Sequence, residues 1–157
     1  MGKEKDSFAN AVVTNRKAYH DYFIEEKFEA GIMLQGTEVK SLRDGRVNLQ
    51  DSYASVKGGA VCLHHWHIGP HSNGNLRNHE PLRTRKLLLQ RKEINKLLSK
   101  TQQQGLTLSP LRIYFSNRGL AKVELGLAKG KKQHDRRESI KTREASREVA
   151  RAMKDKR

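Results

Sequence analysis

Three observations predict a small, mainly β domain of antiparallel strands closed on itself, with a basic tail. The dominant apolar pattern before residue 128 has period two, and two glycine-containing turns separate pairs of short apolar runs. The last thirty residues hold too little apolar surface for a core of their own.

In Tyr22 to Leu34 the even positions read Tyr, Ile, Glu, Phe, Ala, Ile, Leu, while the odd ones include Glu25, Lys27 and Glu29, so one face is core and the other wet. Thr37 can cap a short helix from Glu38 to Asp44, with Glu38 at its positive end, Arg43 near its negative end and Gly45 as terminator. Ser52 to Val56 and Ala60 to Ile68 flank Lys57-Gly58-Gly59 and read as a hairpin. A longer helix is expected from about Thr84 to Gln104, its stripe made by Leu87, Ile94, Leu97 and Leu98 and its stop by Gly105. Leu111 to Ser116 and Leu120 to Leu127 flank Asn117-Arg118-Gly119 as a second hairpin. In its second arm Ala121, Val123, Leu125 and Leu127 face one way, with Lys122 and Glu124 on the other. Five or six such strands must hide their edges, which points to a small barrel like the oligonucleotide-binding (OB) fold; a half-open sheet on one helix is the alternative.

The chain has 157 residues, with 32 Lys plus Arg against 17 Asp plus Glu, a net charge of +15. That excess points to a polyanion, and charge scattered through strands, helix and tail favours nucleic acid over a membrane surface. No run is long and apolar enough to span a membrane, and the start MGKEKDSFAN offers no signal sequence and no good myristoylation pattern. Cys62, the lone cysteine, excludes an internal disulfide and any zinc site built from several thiolates, and fits reducing cytosol.

Catalytic readings fail one by one. His65 and His67 would share a strand face, but a zinc site needs a third ligand from His71, His79 or a distant carboxylate, so no metal and no cofactor are expected. Gly126 to Lys132 has the wrong glycine spacing for a phosphate loop, and Lys132 stands where Ser or Thr should be. Cys62 shares parity with Trp66 and Ile68 and is read as core. Glu25, Glu26, Glu29, Glu38 and Asp51 form no acid and base pair by spacing, so the chain is not expected to be an enzyme.

Residues 128–157 carry 12 Lys plus Arg and 5 Asp plus Glu, a charge of +7 that leaves +8 on the rest. The first part of this tail reads as an extended linker, the second as a helix capped by Ser139 that forms only on a partner. The division is thus a barrel over 1–127, with 1–10 flexible, and a tail over 128–157, disordered when free.

The motifs at 15–53 (NRKAYHDYFIEEKFEAGIMLQGTEVKSLRDGRVNLQDSY), 83–89 (RTRKLLL) and 128–137 (AKGKKQHDRR) resemble the small protein B (SmpB) family. The resemblance implies an OB-like barrel with about three accessory helices, which binds the tRNA-like domain of transfer-messenger RNA (SsrA RNA) in place of an anticodon arm. It implies delivery to stalled ribosomes for trans-translation, in the cytoplasm, by a monomer, with elongation factor Tu as a co-partner through the shared RNA. It carries RNA binding to Glu29, Leu88 and Lys122, and with them Asn15, Arg16, Lys17, His20, Lys40, Arg43 and Asn48. It carries the empty messenger channel and decoding centre of the small subunit to tail residues Gly130, Lys131, Lys132, His134, Asp135, Arg136 and Arg137, with Ile140 and Met153 as apolar positions. Arg136 replaces the family's common lysine, and Ala145 and Ala152 replace larger apolar residues. On composition alone, a ribosomal or ribosome-assembly protein of OB type is the competing reading.

Overall fold

The computed structural model describes residues 11–72, 78–131 and 133–155, with the backbone alone considered at Ala11, 133–136 and Asp155. The elements run β1 (Ala11–Thr14), α1 (Arg16–Asp21), β2 (Tyr22–Ile32), α2 (Gly36–Arg43), β3 (Val47–Asn48), β4 (Tyr53–Lys57), β5 (Ala60–His64), β6 (His67–Ile68), β7 (Arg85–Leu88), α3 (Arg91–Gln104), β8 (Thr107–Phe115), β9 (Ala121–Gly130) and α4 (Gln133–Asp155). The pairings follow β8-β4-β5-β7-β2-β9 and return to β8, so six antiparallel strands form a closed ring, with β1 added on β8 and β3 paired with β6 apart from it. Closure removes the edges that an open sheet of this size would expose.

The alternation in β2 holds, with Phe28 and Ala30 buried and Lys27 and Glu29 outside. The Lys57–Ala60 hairpin turns through Gly58 and Gly59, both with positive φ, the conformation that a two-residue turn needs and that glycine adopts without strain. The second hairpin also forms, with Ser116 N donating to Leu120 O and Tyr114 registered opposite Lys122. Val123, Leu125 and Leu127 point inward, and Leu97 of α3 is buried in the same core with Leu63, Leu87, Leu108 and Ile113.

Several expectations need correction. Residues 85–88 are strand rather than helix: Arg85 and Leu87 are buried and Lys86 and Leu88 exposed, because pairing with β5 and β2 fixes a period of two there. The helix begins only at Arg91 and ends at Gly105, whose φ is positive. Thr37 is not the cap of α2, which starts at Gly36 with Glu38 reaching back to accept from the Gln35 N–H at 2.8 Å. His65 has a φ of 58°, which breaks the strand between β5 and β6 and resets the parity. Cys62 therefore lies half-buried on the side away from Val61 and Leu63, and His65 and His67 do not share a strand face. Finally, β9 runs to Gly130 and α4 starts at Gln133, six residues before Ser139, with no extended linker among the described residues between. The expected flexibility of residues 1–10 lies outside the described residues.

One polar knot sits inside the apolar body. The carboxylate of Glu38, fully buried, accepts from Arg83 at 2.5 Å and from the buried Arg85, which also donates to Trp66 O at 2.6 Å and lies 5.2 Å from the Trp66 ring. Burial pushes the Glu38 carboxyl up, but the hydrogen bonds from Arg83, the Gln35 N–H and Arg85 outweigh it and hold the group below its ordinary value. Its contribution to stability is therefore full above the ordinary 4.5 and is lost as pH falls through the depressed folded value. Glu38→Ala leaves two cations around an apolar gap and should cost about 3–5 kcal/mol in urea unfolding at neutral pH. Glu38→Gln should remove this acid-dependent fraction, so its stability falls less than the parent's between pH 5 and 3.

Candidate nucleic-acid interface

Cross-strand partners share a face of a sheet, and on the outer wall one row runs Leu88–Gly31–Lys122–Tyr114 across β7, β2, β9 and β8. Leu88 is 52% exposed, its side chain lying over the bare backbone of Gly31, where a Cβ would come within 3.3 Å of Leu88 Cβ. The row therefore offers a flat apolar patch beside an ammonium and a phenol. Two of the three residues carried over for RNA binding, Leu88 and Lys122, stand in it, and the third, Glu29, is the next outward residue of β2.

Glu29 accepts a hydrogen bond from the Tyr114 hydroxyl, and its other oxygen lies 3.9 Å from Lys122 Nζ. That separation is too long for a hydrogen bond, so Glu29 lies beside the ammonium without taking up its donors. The next row continues the pattern: Arg112 Nε donates to Glu124 at 2.7 Å, Lys27 lies 3.4 Å from the same carboxylate, and the Arg112 guanidinium sits 4.8 Å from the Tyr114 ring. Arg112 and Glu124 hold Tyr114 from below, and Tyr114 holds Glu29. The sequence reading misses Arg112 and Gly31 as parts of this surface. The common parity of Lys27 and Glu29, and of Lys122 and Glu124, is visible in the sequence, but the register that brings β2 against β9 is not.

The other carried-over residues fall elsewhere. Asn15 is 5% exposed; its Oδ1 accepts from Ala18 N at 3.2 Å as the cap of α1 and its Nδ2 donates to Pro110 O at 3.0 Å, so it fixes α1 rather than facing outward. Arg16 is exposed, Lys17 pairs with Asp51 at 2.8 Å, and His20 bonds Asp21 at 2.9 Å. Asn48 accepts from Gln50 N at 2.8 Å in a turn. Lys40 and Arg43 are exposed on α2, the Arg43 guanidinium 5.6 Å from the Phe115 ring.

In the tail, Gly130 closes the pairing with Tyr22, and Lys131 is tied to the body: its N–H donates to Asp21 O at 2.9 Å, its ammonium to Tyr19 O at 3.2 Å, and the ammonium lies 4.9 Å from the Phe23 ring. Lys132 lies outside the described residues, as do the side chains of His134, Asp135 and Arg136. Arg137, Ile140 and Met153 are exposed on α4. At helical spacing Ala145, Val149, Ala152 and Met153 form one stripe, opposite Glu144, Arg147 and Arg151.

The fold and this surface define a small closed β-ring protein whose outer wall and appended helix carry the chemistry of polyanion binding. The family model described as SmpB protein matches residues 12–155, and the chain belongs to the SmpB family. It is 61% identical over 145 residues to the "SsrA-binding protein" of Geobacillus kaustophilus, covering 92% of this chain and 93% of that one. It is 58% identical over 156 residues to that of Moorella thermoacetica, covering 99% and 98%. A solved chain described as "tmRNA-SmpB: a journey to the center of the bacterial ribosome" superimposes with a TM-score of 0.66 at 49% identity, covering 82% of this chain and 93% of that one.

The Tyr114 phenol is pushed above its ordinary value of 10 by burial and then by the Glu29 carboxylate. Its contribution to stability is thus present below pH 10 and lost as pH rises beyond it. Ultraviolet titration should show one phenol ionising late; Tyr114→Phe should delete that component, and Glu29→Gln should move it back towards 10.

Proposed function

We propose that this chain binds the tRNA-like domain of transfer-messenger RNA through the Leu88–Gly31–Lys122–Tyr114 row and carries it to stalled ribosomes for trans-translation. The observation that carries the reading is the convergence of Leu88, Lys122 and Glu29, far apart in sequence, on one outward face. Each has a separate role there. Lys122 neutralises a phosphate, with the counterion release that makes such binding salt dependent. Leu88 covers an unstacked base or sugar, and Glu29 positions Lys122 and accepts from a sugar hydroxyl or base amine. The protein acts by binding, in the cytoplasm, and elongation factor Tu joins through the shared RNA.

The tail has a second role in this reading. Residues from Lys132 onward enter the empty messenger channel, where Arg137 and the other basic residues meet ribosomal RNA and the Met153 stripe gives an apolar anchor. Because Ala128 is buried in β9 and Lys131 is bound to α1, the functional tail starts after Lys131 rather than at residue 128. The coil-to-helix ordering of that tail on the ribosome belongs to the same proposal.

Lys122→Ala should weaken binding of a transcript of the tRNA-like domain by roughly 1–3 kcal/mol in filter binding at fixed salt, and steeper salt dependence in the parent should accompany it. Unchanged affinity would return Lys122 to the solvated surface. Deleting residues 132–157 should preserve that affinity while abolishing tagging of stalled peptides in a reconstituted translation reaction; equal loss of both activities sinks the division of labour.

A further inference from the structure

The register of the ring sets Glu29 directly opposite Glu124 across β2 and β9. Like charges facing each other across a sheet repel, so each carboxylate needs its own partners. They come from different sides. Glu29 accepts from the Tyr114 hydroxyl on one oxygen, with Lys122 Nζ 3.9 Å from the other. Glu124 accepts from Arg112 Nε at 2.7 Å on one oxygen, with Lys27 Nζ 3.4 Å from the other.

Arg112 is placed unlike the other cations of this wall. It stands opposite Glu124 on β8, is only 6% exposed, and lies with its guanidinium 4.8 Å from the Tyr114 ring. A group so covered does not meet a phosphate itself. Taking a guanidinium out of water is costly, and the carboxylate beside it, itself largely covered, offsets that cost. The pair is therefore committed. Lys27, half of whose side chain is in water, is screened and holds Glu124 less firmly.

We propose that Arg112 is a positioning residue for RNA binding: by occupying Glu124 it keeps the Lys122 ammonium available to a phosphate. The proposal rests on the reading that the Lys122 row binds RNA. Lys122 and Glu124 are two residues apart on β9 and face the same way, which separates their Cα atoms by about 7 Å. An extended lysine side chain spans that gap. Without Arg112, the Glu124 carboxylate competes with the incoming phosphate for Lys122, and it adds an unneutralised negative charge to the face that RNA approaches. With Arg112 seated, the nearest acid to Lys122 is Glu29, at a separation that leaves the donors open.

The test uses the full chain and a transcript of the tRNA-like domain, with affinities measured over a salt series. Arg112→Gln should weaken binding roughly 5- to 150-fold, the range of one charge-assisted contact, and lower the magnitude of the salt slope by about 1. Adding Glu124→Gln to it should restore both affinity and slope, because the competing carboxylate is gone. Lys122→Ala and Arg112→Gln should not add when combined, since both remove the same phosphate contact. Arg112→Lys keeps a cation on Glu124 and should bind as the parent does; with the double variant Arg112→Gln/Glu124→Gln it carries the test if thermal melts show Arg112→Gln alone unfolded. The proposal is overturned if folded Arg112→Gln binds with parental affinity and slope, if the double variant is as weak as Lys122→Ala, or if folded Arg112→Lys is. No binding of the transcript by the parent chain, or parental binding by Lys122→Ala, would instead remove the RNA reading of this row, and the role of Arg112 with it.

Discussion

The buried pair of Glu38 and Arg85 is the constraint from which the working surface follows. A carboxylate fully out of water between two guanidiniums tolerates little displacement, because each lost contact leaves an uncompensated charge. It ties the start of α2 to the start of β7, and Arg85 ties both to the Trp66 carbonyl. Once Arg85 points inward, the pleat puts Leu87 in the core and Leu88 outside, over Gly31. An interior ion pair thus determines which leucine faces the proposed RNA. A buried pair of this kind adds less to stability than its contacts suggest, but it specifies register strongly, and here register is what the surface requires.

The outer wall shows how a chain with a net charge of +15 avoids a uniformly repulsive face. Lys27, Arg112 and Lys122 alternate with Glu124 and Glu29, so the acids there separate and orient cations rather than cancel them. Tyr114 links the two rows, its ring beside Arg112 and its hydroxyl on Glu29. Acidic residues on the proposed RNA-binding face are then no paradox: a lysine held in place loses less side-chain entropy when a phosphate arrives than a free one would.

What can be read from the sequence is local and periodic. The alternation of β2, the Gly58-Gly59 turn, the stops at Gly45 and Gly105 and the inward face of Val123, Leu125 and Leu127 each depend on neighbours a few residues apart. Sequence reasoning fails where a partner distant in sequence decides. Leu87 and Ile94 are seven apart and mimic a helical stripe, yet β5 and β2 claim residues 85–88 for the ring. Parity carried through His65 sends Cys62 to the core, and a single left-handed residue resets that parity. Glu38 is legible as a helix N-terminal acid, but nothing within its own segment announces Arg85, 47 residues on. For the candidate interface, Leu88, Glu29 and Lys122 come from motif resemblance; their adjacency, and the roles of Tyr114 and Gly31, need the register.

The root of the tail is where body and extension are mechanically joined. Lys131 closes onto Asp21 and Tyr19 and lies against Phe23, so the point at which the chain leaves the body is set by α1 and the first residue pairs of β2 and β9. Asn15 fixes α1 in turn, bonding Ala18 N at one end of its side chain and Pro110 O of β8 at the other. Asn15, which family resemblance marks as an RNA contact, has a structural role here, since it holds the short helix to which Lys131 is bonded. With the proposed RNA-facing row near the β8–β9 hairpin and the tail anchored at the opposite end of β9, the length of that strand sets the distance between the two proposed binding functions. A ring of hydrogen-bonded strands is stiff enough to keep that distance fixed.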